Sequence, residues 1–382
     1  MNSRYWRYLG GAAVARTGDE MSGPALLLLG FAVTGSAVAG SALLAGLTVA
    51  AALGGPAFGV LIDRSPRPER VLAATLGAYA LGIGLLLASV GRLALPVVVG
   101  IALVTGLFAP AVAGGWTSQV PRLVSGEALS RASALDALTF TTASLIGPAL
   151  AALIAAWAGA RLATGIAAAL VALAVPAALS IPGAVRIREP PAVSVRRQLA
   201  DGFAAILARP RLRRATATSV VSFIGIGMLI VCCPVLGQQR LGASTRGALL
   251  ISAMAVAALI ANSILARWPA RVPDRIVFAS TLVLCLAMAA AAVAPGWFTM
   301  LAVAVGGAGD GPQLTALLAV RHREAPVAMR GQIFTTAASL KIGGLAVGSA
   351  LAGPLASRSL TTCLLVAAVT ELCAAVTYAI TG

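Results

Sequence analysis

The sequence predicts an all-α membrane protein, twelve transmembrane helices in two six-helix bundles, on the strength of three observations. Of 382 residues, 59% are hydrophobic and 10% charged, with a mean hydropathy of +0.95, whereas a soluble domain carries about 25% charge. Even divided into two or three soluble domains, the chain would lack the polar residues to cover its exterior, so lipid is the solvent for most of it. Cutting at glycine, proline and charge clusters leaves twelve apolar segments of about the 20 residues a bilayer needs. An internal repeat then points to two halves: Phe140-Thr141-Thr142-Ala143-Ser144-Leu145 returns, with one inserted alanine, as Phe334-Thr335-Thr336-Ala337-Ala338-Ser339-Leu340, at a spacing close to half the chain. That spacing places the fifth segment over the eleventh, as two parallel six-helix halves require.

The segments lie at 8–33, 40–62, 71–91, 94–117, 132–157, 161–182, 215–236, 246–267, 275–295, 297–320, 332–356 and 360–381. The first begins with Arg4, Arg7 and an Ala13-Val14-Ala15 triplet, which mimic a signal peptide. The apolar pattern resumes at Pro24 to Val33, so 8–33 reads as one helix with Arg16, Asp19 and Glu20 inside it. Residues 186–214 form the longest polar stretch, and its amphipathic part from Val195 to Leu207 reads as a helix on the membrane surface, held by anionic lipid through its arginines. The expected domains are a bundle at 1–183, a cytoplasmic linker at 184–214 and a second bundle at 215–382.

Net charge is +16, from 28 Lys and Arg against 12 Asp and Glu, and Lys341 is the only lysine. The cations sit in short clusters between apolar runs, which is the pattern of cytoplasmic loops and not of a nucleic-acid-binding face. With both termini cytoplasmic, the inner loops carry 21 cations and the outer loops 5, which sets the expected orientation. Cys232, Cys233, Cys285, Cys363 and Cys373 fall in apolar stretches without disulfide or zinc spacing. His322 is the only histidine, so no histidine-based metal cluster or catalytic triad can be built. No metal or cofactor is expected.

After the second segment the chain reads Gly59-Val60-Leu61-Ile62-Asp63-Arg64-Ser65-Pro66-Arg67-Pro68-Glu69-Arg70. Glycine lets two helix ends approach closely, and an aspartate is favoured near a helix N-terminus. Such a loop works either as an ionic latch or simply as a positive-inside loop. It resembles the Gly-x-Leu-x-Asp-Arg-x-x-Arg motif between helices two and three of the major facilitator superfamily. Gly18-Asp19, Thr34-Gly35-Ser36-Ala37 and Gly54-Gly55-Pro56 resemble that family's drug-proton antiporter branch, which includes macrolide and siderophore exporters. The resemblance implies two six-helix bundles rocking about a central cavity. It further implies that Asp63 pairs with cytoplasmic helix ends in the outward-facing state, with Arg131 as a partner, and that Arg64 and Arg67 complete the latch. Gly147-Pro148 resembles the Gly-Pro element of the branch's fifth helix. The sequence departs from the pattern at Pro66 and Pro68, and residues 94–117 lack the family's helix-four arginine and any other charge.

Charges inside the segments are the sharpest remaining clue, since each costs about 2.5–3.5 kcal/mol at a helix centre unless it faces protein or water. Arg16, Asp19 and Glu20 fall at i, i+3 and i+4, so Arg16 can pair with either carboxylate and one acid is left over. Asp19 or Glu20 is expected to titrate or to meet a cationic substrate; the alternative is a self-satisfied cluster. Asp310 lies in the glycine-rich run from Gly306 to Pro312, whose backbone can bend or line a cavity. Lys341 is in the next segment, and the two are read either as an ion pair that protonation or substrate opens or as a static clasp. Gln313, Asn262, Gln238 and Gln239 offer neutral hydrogen bonds, although single polar residues in helices more often bond neighbouring helices. Glu371 receives no functional account from the sequence.

The expectation is a monomeric carrier of the cell membrane that exports small hydrophobic or amphipathic molecules in exchange for protons, with lipids as its other partners. The alternatives are an uptake carrier or uniporter for a small metabolite and, from another class, a membrane sensor. An enzyme would need a nucleophile, base or metal ligands converging at one depth, and the sequence offers none.

Overall fold

The structure, a computed structural model, describes residues 3–125, 128–181, 194–243, 246–268 and 272–380. Among them the chain is α-helical, as a backbone surrounded by hydrocarbon must be unless it closes into a barrel. The helices are α1 (Ser3–Thr34), α2 (Ala37–Arg64), α3 (Pro68–Ser89), α4 (Leu95–Gly106), α5 (Val120–Leu123), α6 (Ala128–Ala158), α7 (Ala160–Leu173), α8 (Val175–Leu179) and α9 (Val195–Ala208). They continue as α10 (Pro210–Leu241), α11 (Gly247–Arg267), α12 (Pro273–Val293), α13 (Phe298–Glu324), α14 (Arg330–Arg358) and α15 (Leu360–Ile380). Among the described residues, ten stretches are long and apolar enough to cross a membrane by length and composition. The other two expected segments lie on α1 and α13, which are 32 and 27 residues long and carry the charges Arg16, Asp19, Glu20 and Asp310.

Local chemistry sets the helix ends. Proline, whose missing N–H costs nothing in the first turn, opens α3, α10 and α12. Between α1 and α2 the chain turns at Gly35, with φ +68°, and Ser36 then caps α2 by accepting a hydrogen bond from the Ala39 amide. The fourth expected segment is not one regular helix: a π-helical turn at Ala111–Gly115 separates α4 from α5. Such turns insert one residue into the helical register and frequently occur at functional sites. The amphipathic linker segment forms α9, while residues 182–193 of the expected linker lie outside the described residues.

The chain forms two compact units. Unit 1 contains residues 1–128, 142–203 and 326–339, and unit 2 contains 129–141, 204–325 and 340–382. The first turns of α6 belong to unit 2, and those of α14 to unit 1. Both changeovers, after Thr141 and after Ser339, fall inside the two copies of the repeated segment.

In unit 1, α1 packs on α2 and α7, and Met21, Ala25, Ala151, Ala163 and Ala167 form a small-residue core. In unit 2, Met228, Leu229, Leu250, Leu284 and Leu364 pack α10, α11, α12 and α15 together. One end of unit 2 carries an ion network. Arg214 and Arg323 reach Asp274 at 2.6 and 2.9 Å, and Arg211 and Arg323 reach Glu324 at 3.0 and 2.7 Å. Outward faces remain apolar: Leu53, Leu81, Leu173, Leu286 and Leu301 are exposed, far more greasy surface than a soluble monomer shows. Trp6, Trp157, Trp268 and Trp297 are also exposed and stand at or beside helix ends, where membrane-interface aromatics lie.

Without a hydrophobic drive between helices in lipid, association depends on close van der Waals contact at small residues. At Gly307 of α13 a Cβ would overlap the Met254 carbonyl of α11, whereas at Gly343 of α14 it would meet open space. Gly307→Val therefore lowers the thermal midpoint of the detergent-purified protein, at a cost of about 1–3 kcal/mol, and Gly343→Ala leaves it near wild type. Equal midpoints for the two variants would contradict this packing.

Candidate functional site

Of the expected latch residues, Gly59, Asp63, Arg64 and Arg67 lie in unit 1, at the C-terminal end of α2 and the turn into α3. Asp63 is buried, and its two carboxylate oxygens accept hydrogen bonds from the amides of Gly331 and Gln332 at 2.8 and 2.7 Å. These amides open α14, where backbone N–H groups have no partner inside their own helix and the dipole favours negative charge. Close approach is made possible by glycine: a Cβ at Gly59 would overlap the Gln332 backbone, and one at Gly55 the Thr335 carbonyl. One turn deeper, the Gly55 amide donates to Ser339 Oγ at 3.0 Å, and that hydroxyl donates to the Ala51 carbonyl at 2.7 Å. Gln332 Nε2 in turn donates to the Leu199 carbonyl of α9 at 3.1 Å, which ties the linker helix to the same turn. Arg64 is half-buried and Arg67 is exposed at the start of α3; Arg131 is exposed and belongs to unit 2.

The charges of α1 are also met within unit 1. Arg16 is 1% exposed and donates through Nη2 to Thr117 Oγ1 at 2.9 Å. Thr117 follows directly after the π-helical turn and Trp116, so this turn brings a hydroxyl to the arginine. Asp19 Oδ1 accepts a 2.6 Å hydrogen bond from Tyr79 Oη of α3, and Ser22 Oγ lies 3.1 Å from the same phenol. Gly147 packs against Glu20: a Cβ there would stand 2.6 Å from the Glu20 Cβ. Gly147-Pro148 thus lies over the acid pair of α1. Tyr79 and Thr117 were not singled out from sequence, since one tyrosine or threonine in an apolar helix has no distinguishing spacing.

In unit 2, Lys341 is half-buried with Nζ 4.3 Å from the centre of the Phe223 ring and 5.8 Å from that of Phe140, a cation–π setting. Its charge also acts on Asp310. The glycines around Asp310 are used for packing: Gly307, Gly309 and Gly311 lie against backbone carbonyls of Met254, Ser280 and Ala258. Gln313 donates to Thr281 at 2.7 Å, and Asn262 bridges Thr141 at 3.1 Å and Thr315 at 2.9 Å; both bond neighbouring helices, while Gln238 and Gln239 are exposed. Asp274, the hub of the ion network, was also missed. A signal was present, because Pro273-Asp274-Arg275-Ile276 opens α12 as Pro68-Glu69-Arg70-Val71 opens α3. Among the described residues, no three His, Cys, Asp or Glu side chains are placed to hold a metal ion.

The two amide bonds to Asp63 are charge-assisted, each worth about 1.5–3 kcal/mol. Asp63→Asn removes the charge and lowers the thermal midpoint, and it speeds deuterium exchange at Gly331 and Gln332, while Arg67→Gln leaves that exchange unchanged. Unchanged exchange in Asp63→Asn would show that the cap is not formed.

The family model described as Major Facilitator Superfamily matches residues 8–349. An uncharacterized MFS-type transporter, y4rN, of Sinorhizobium fredii (strain NBRC 101917 / NGR234) is 26% identical over 333 residues, 84% of this chain and 78% of the relative. The fold is similar to that of the human organic anion transporter MFSD10, with a TM-score of 0.80 at 16% identity over 99% of this chain and 100% of the other. It is also similar to a bacterial homologue of the iron transporter ferroportin, with a TM-score of 0.80 at 15% identity over 99% of both chains. For the E. coli fucose:proton symporter FucP the TM-score is 0.72 at 11% identity, over 99% of this chain and 98% of that one. At these identities the structural likenesses speak for the fold alone. The family match, in contrast, covers most of the chain, which therefore belongs to the major facilitator superfamily: a multi-pass membrane secondary transporter of small molecules, not an enzyme.

Proposed function

We propose that this transporter belongs to the drug-proton antiporter branch and exports small hydrophobic or amphipathic molecules in exchange for protons, by alternating access. The observation that carries the proposal is the α1 cluster, a carboxylate hydrogen-bonded by a phenol beside a buried arginine, with Glu20 next to it under Gly147. An acid in that setting has two ways to be neutralised, a proton or a cationic substrate, and competition between them is what coupling requires. Asp310 and Lys341 in unit 2 are a second charge pair that either ligand would disturb. The Asp63 cap supplies a bistable contact, because leaving it means giving up two charge-assisted bonds together.

The carrier works as a monomer in the cell membrane with both termini cytoplasmic, as the cation count of its loops supports. α9 rests on the membrane surface: Arg196 and Arg197 are exposed toward anionic lipid, and Phe203 and Leu207 are exposed apolar residues on the same short helix. A second reading, uptake or uniport of a small metabolite, is favoured by the absence of any charge in residues 94–117.

Proteoliposomes carrying a fluorescent lipophilic cation and an imposed pH gradient separate these readings. Export that follows the gradient in wild type and falls roughly tenfold or more in Asp19→Asn or Glu20→Gln, a loss of about 1.4 kcal/mol or more, supports the antiporter; Lys341→Ala reports on the second pair. Transport indifferent to the gradient and to all three substitutions would turn the assignment toward uniport.

A further inference from the structure

Glu371 lies in the middle of α15, within unit 2, and is 0% exposed. Its Oε1 accepts a hydrogen bond from Ser222 Oγ of α10 at 2.9 Å. Ser222 in turn accepts from Gln313 Nε2 of α13 at 3.2 Å, and the same amide donates to Thr281 Oγ1 of α12 at 2.7 Å. Oε2 has no protein hydrogen-bond partner. An ionised carboxylate has about four lone-pair sites to satisfy, and an uncompensated buried charge is among the most unfavourable groups a protein can hold. Here one hydroxyl serves one oxygen.

Among the described residues, the groups facing this carboxyl offer it no cation. From α10 it meets Ser222 and the bare backbone at Gly225, where a Cβ would stand 3.1 Å from Oε1. From α12 the Cys285 thiol is the titratable group within its electrostatic reach. From α13 the charged group acting on it is a second acid, Asp310, and it is Asp310 that the charge of Lys341 on α14 reaches. Repulsion from Asp310 and the shortage of donors act in the same direction.

We propose that Glu371 is a proton-binding site of unit 2, holding its proton within the Ser222–Gln313–Thr281 chain, while Asp310 beside it is balanced by Lys341. Binding forms one O–H bond on the carboxyl from a hydronium ion and releases water, so the site takes up one proton and one positive charge. The inference is independent of the α1 acids and of any substrate. It assigns a role to an acid on the last helix that the antiporter proposal leaves unused.

The test is infrared spectroscopy of the full-length protein in lipid, reading the carbonyl stretch of a protonated carboxylic acid as the pH is varied. A band present at neutral pH, lost in Glu371→Gln and retained in Asp19→Asn, is the expected result. Ser222→Ala, which removes the one hydrogen bond to Oε1, shifts the band to higher frequency and covers the case in which Glu371→Gln does not fold. A band unchanged in Glu371→Gln, or one in folded Ser222→Ala at the wild-type frequency, overturns the assignment. Since no transport is measured, failure of the antiporter reading leaves this result standing, and the reverse also holds.

Discussion

A charge in hydrocarbon persists only if the protein itself answers it, and this constraint organises the structure. Asp63 is answered by two helix-opening amides, Arg16 by Thr117, Asp19 by Tyr79, and Lys341 by aromatic faces and the charge of Asp310. Each answer comes from a different helix. The buried charges thus fix which helices must touch, and they do so where lipid-facing apolar surface could not, because one leucine face is as content with lipid as with another helix.

Glycine makes those answers reachable. A side chain at Gly59 or Gly55 would hold α2 away from α14, and the Asp63 carboxylate would then stop short of the amides it caps. Gly147 plays the corresponding part over Glu20, and Gly307, Gly309 and Gly311 over the carbonyls of α11 and α12. What looks in sequence like a permissive, featureless composition is therefore a set of specific close approaches. The π-helical turn at Ala111–Gly115 adds to this by re-registering one segment so that Trp116 is buried and Thr117 meets Arg16.

Much of the fold was legible because lipid imposes a length and a polarity on every crossing segment, and the twelve apolar runs are the direct record of that. That Val195 to Leu207 is helical was legible from its amphipathic pattern. The kind of partner Asp63 would take, a helix end, could also be read, from the resemblance of its loop to the family's motif. Which helix it would be could not: Gly331 and Gln332 lie far along the chain and owe their role to tertiary packing. Tyr79, Thr117 and Ser222 were invisible for another reason. A hydroxyl in an apolar helix is ordinarily bonded back to its own turn, as Thr75 and Thr105 are here, so only geometry singles out the few that reach a charge. Nor could alanine- and glycine-rich sequence announce the π-helical turn, or the transfer of the first turns of α6 and α14 between units.

In the proposed antiport, a membrane-embedded acid of α1 exchanges a proton for the transported molecule. The most direct test of this exchange is proton counterflow: proteoliposomes are loaded with a pH-sensitive dye, no pH gradient is imposed, and a lipophilic cation is added on one side so that it moves down its own gradient. The account predicts that luminal pH changes as the cation crosses, with protons moving in the opposite direction, and that Asp19→Asn abolishes the change. Passage of the cation through the protein with luminal pH constant would contradict it.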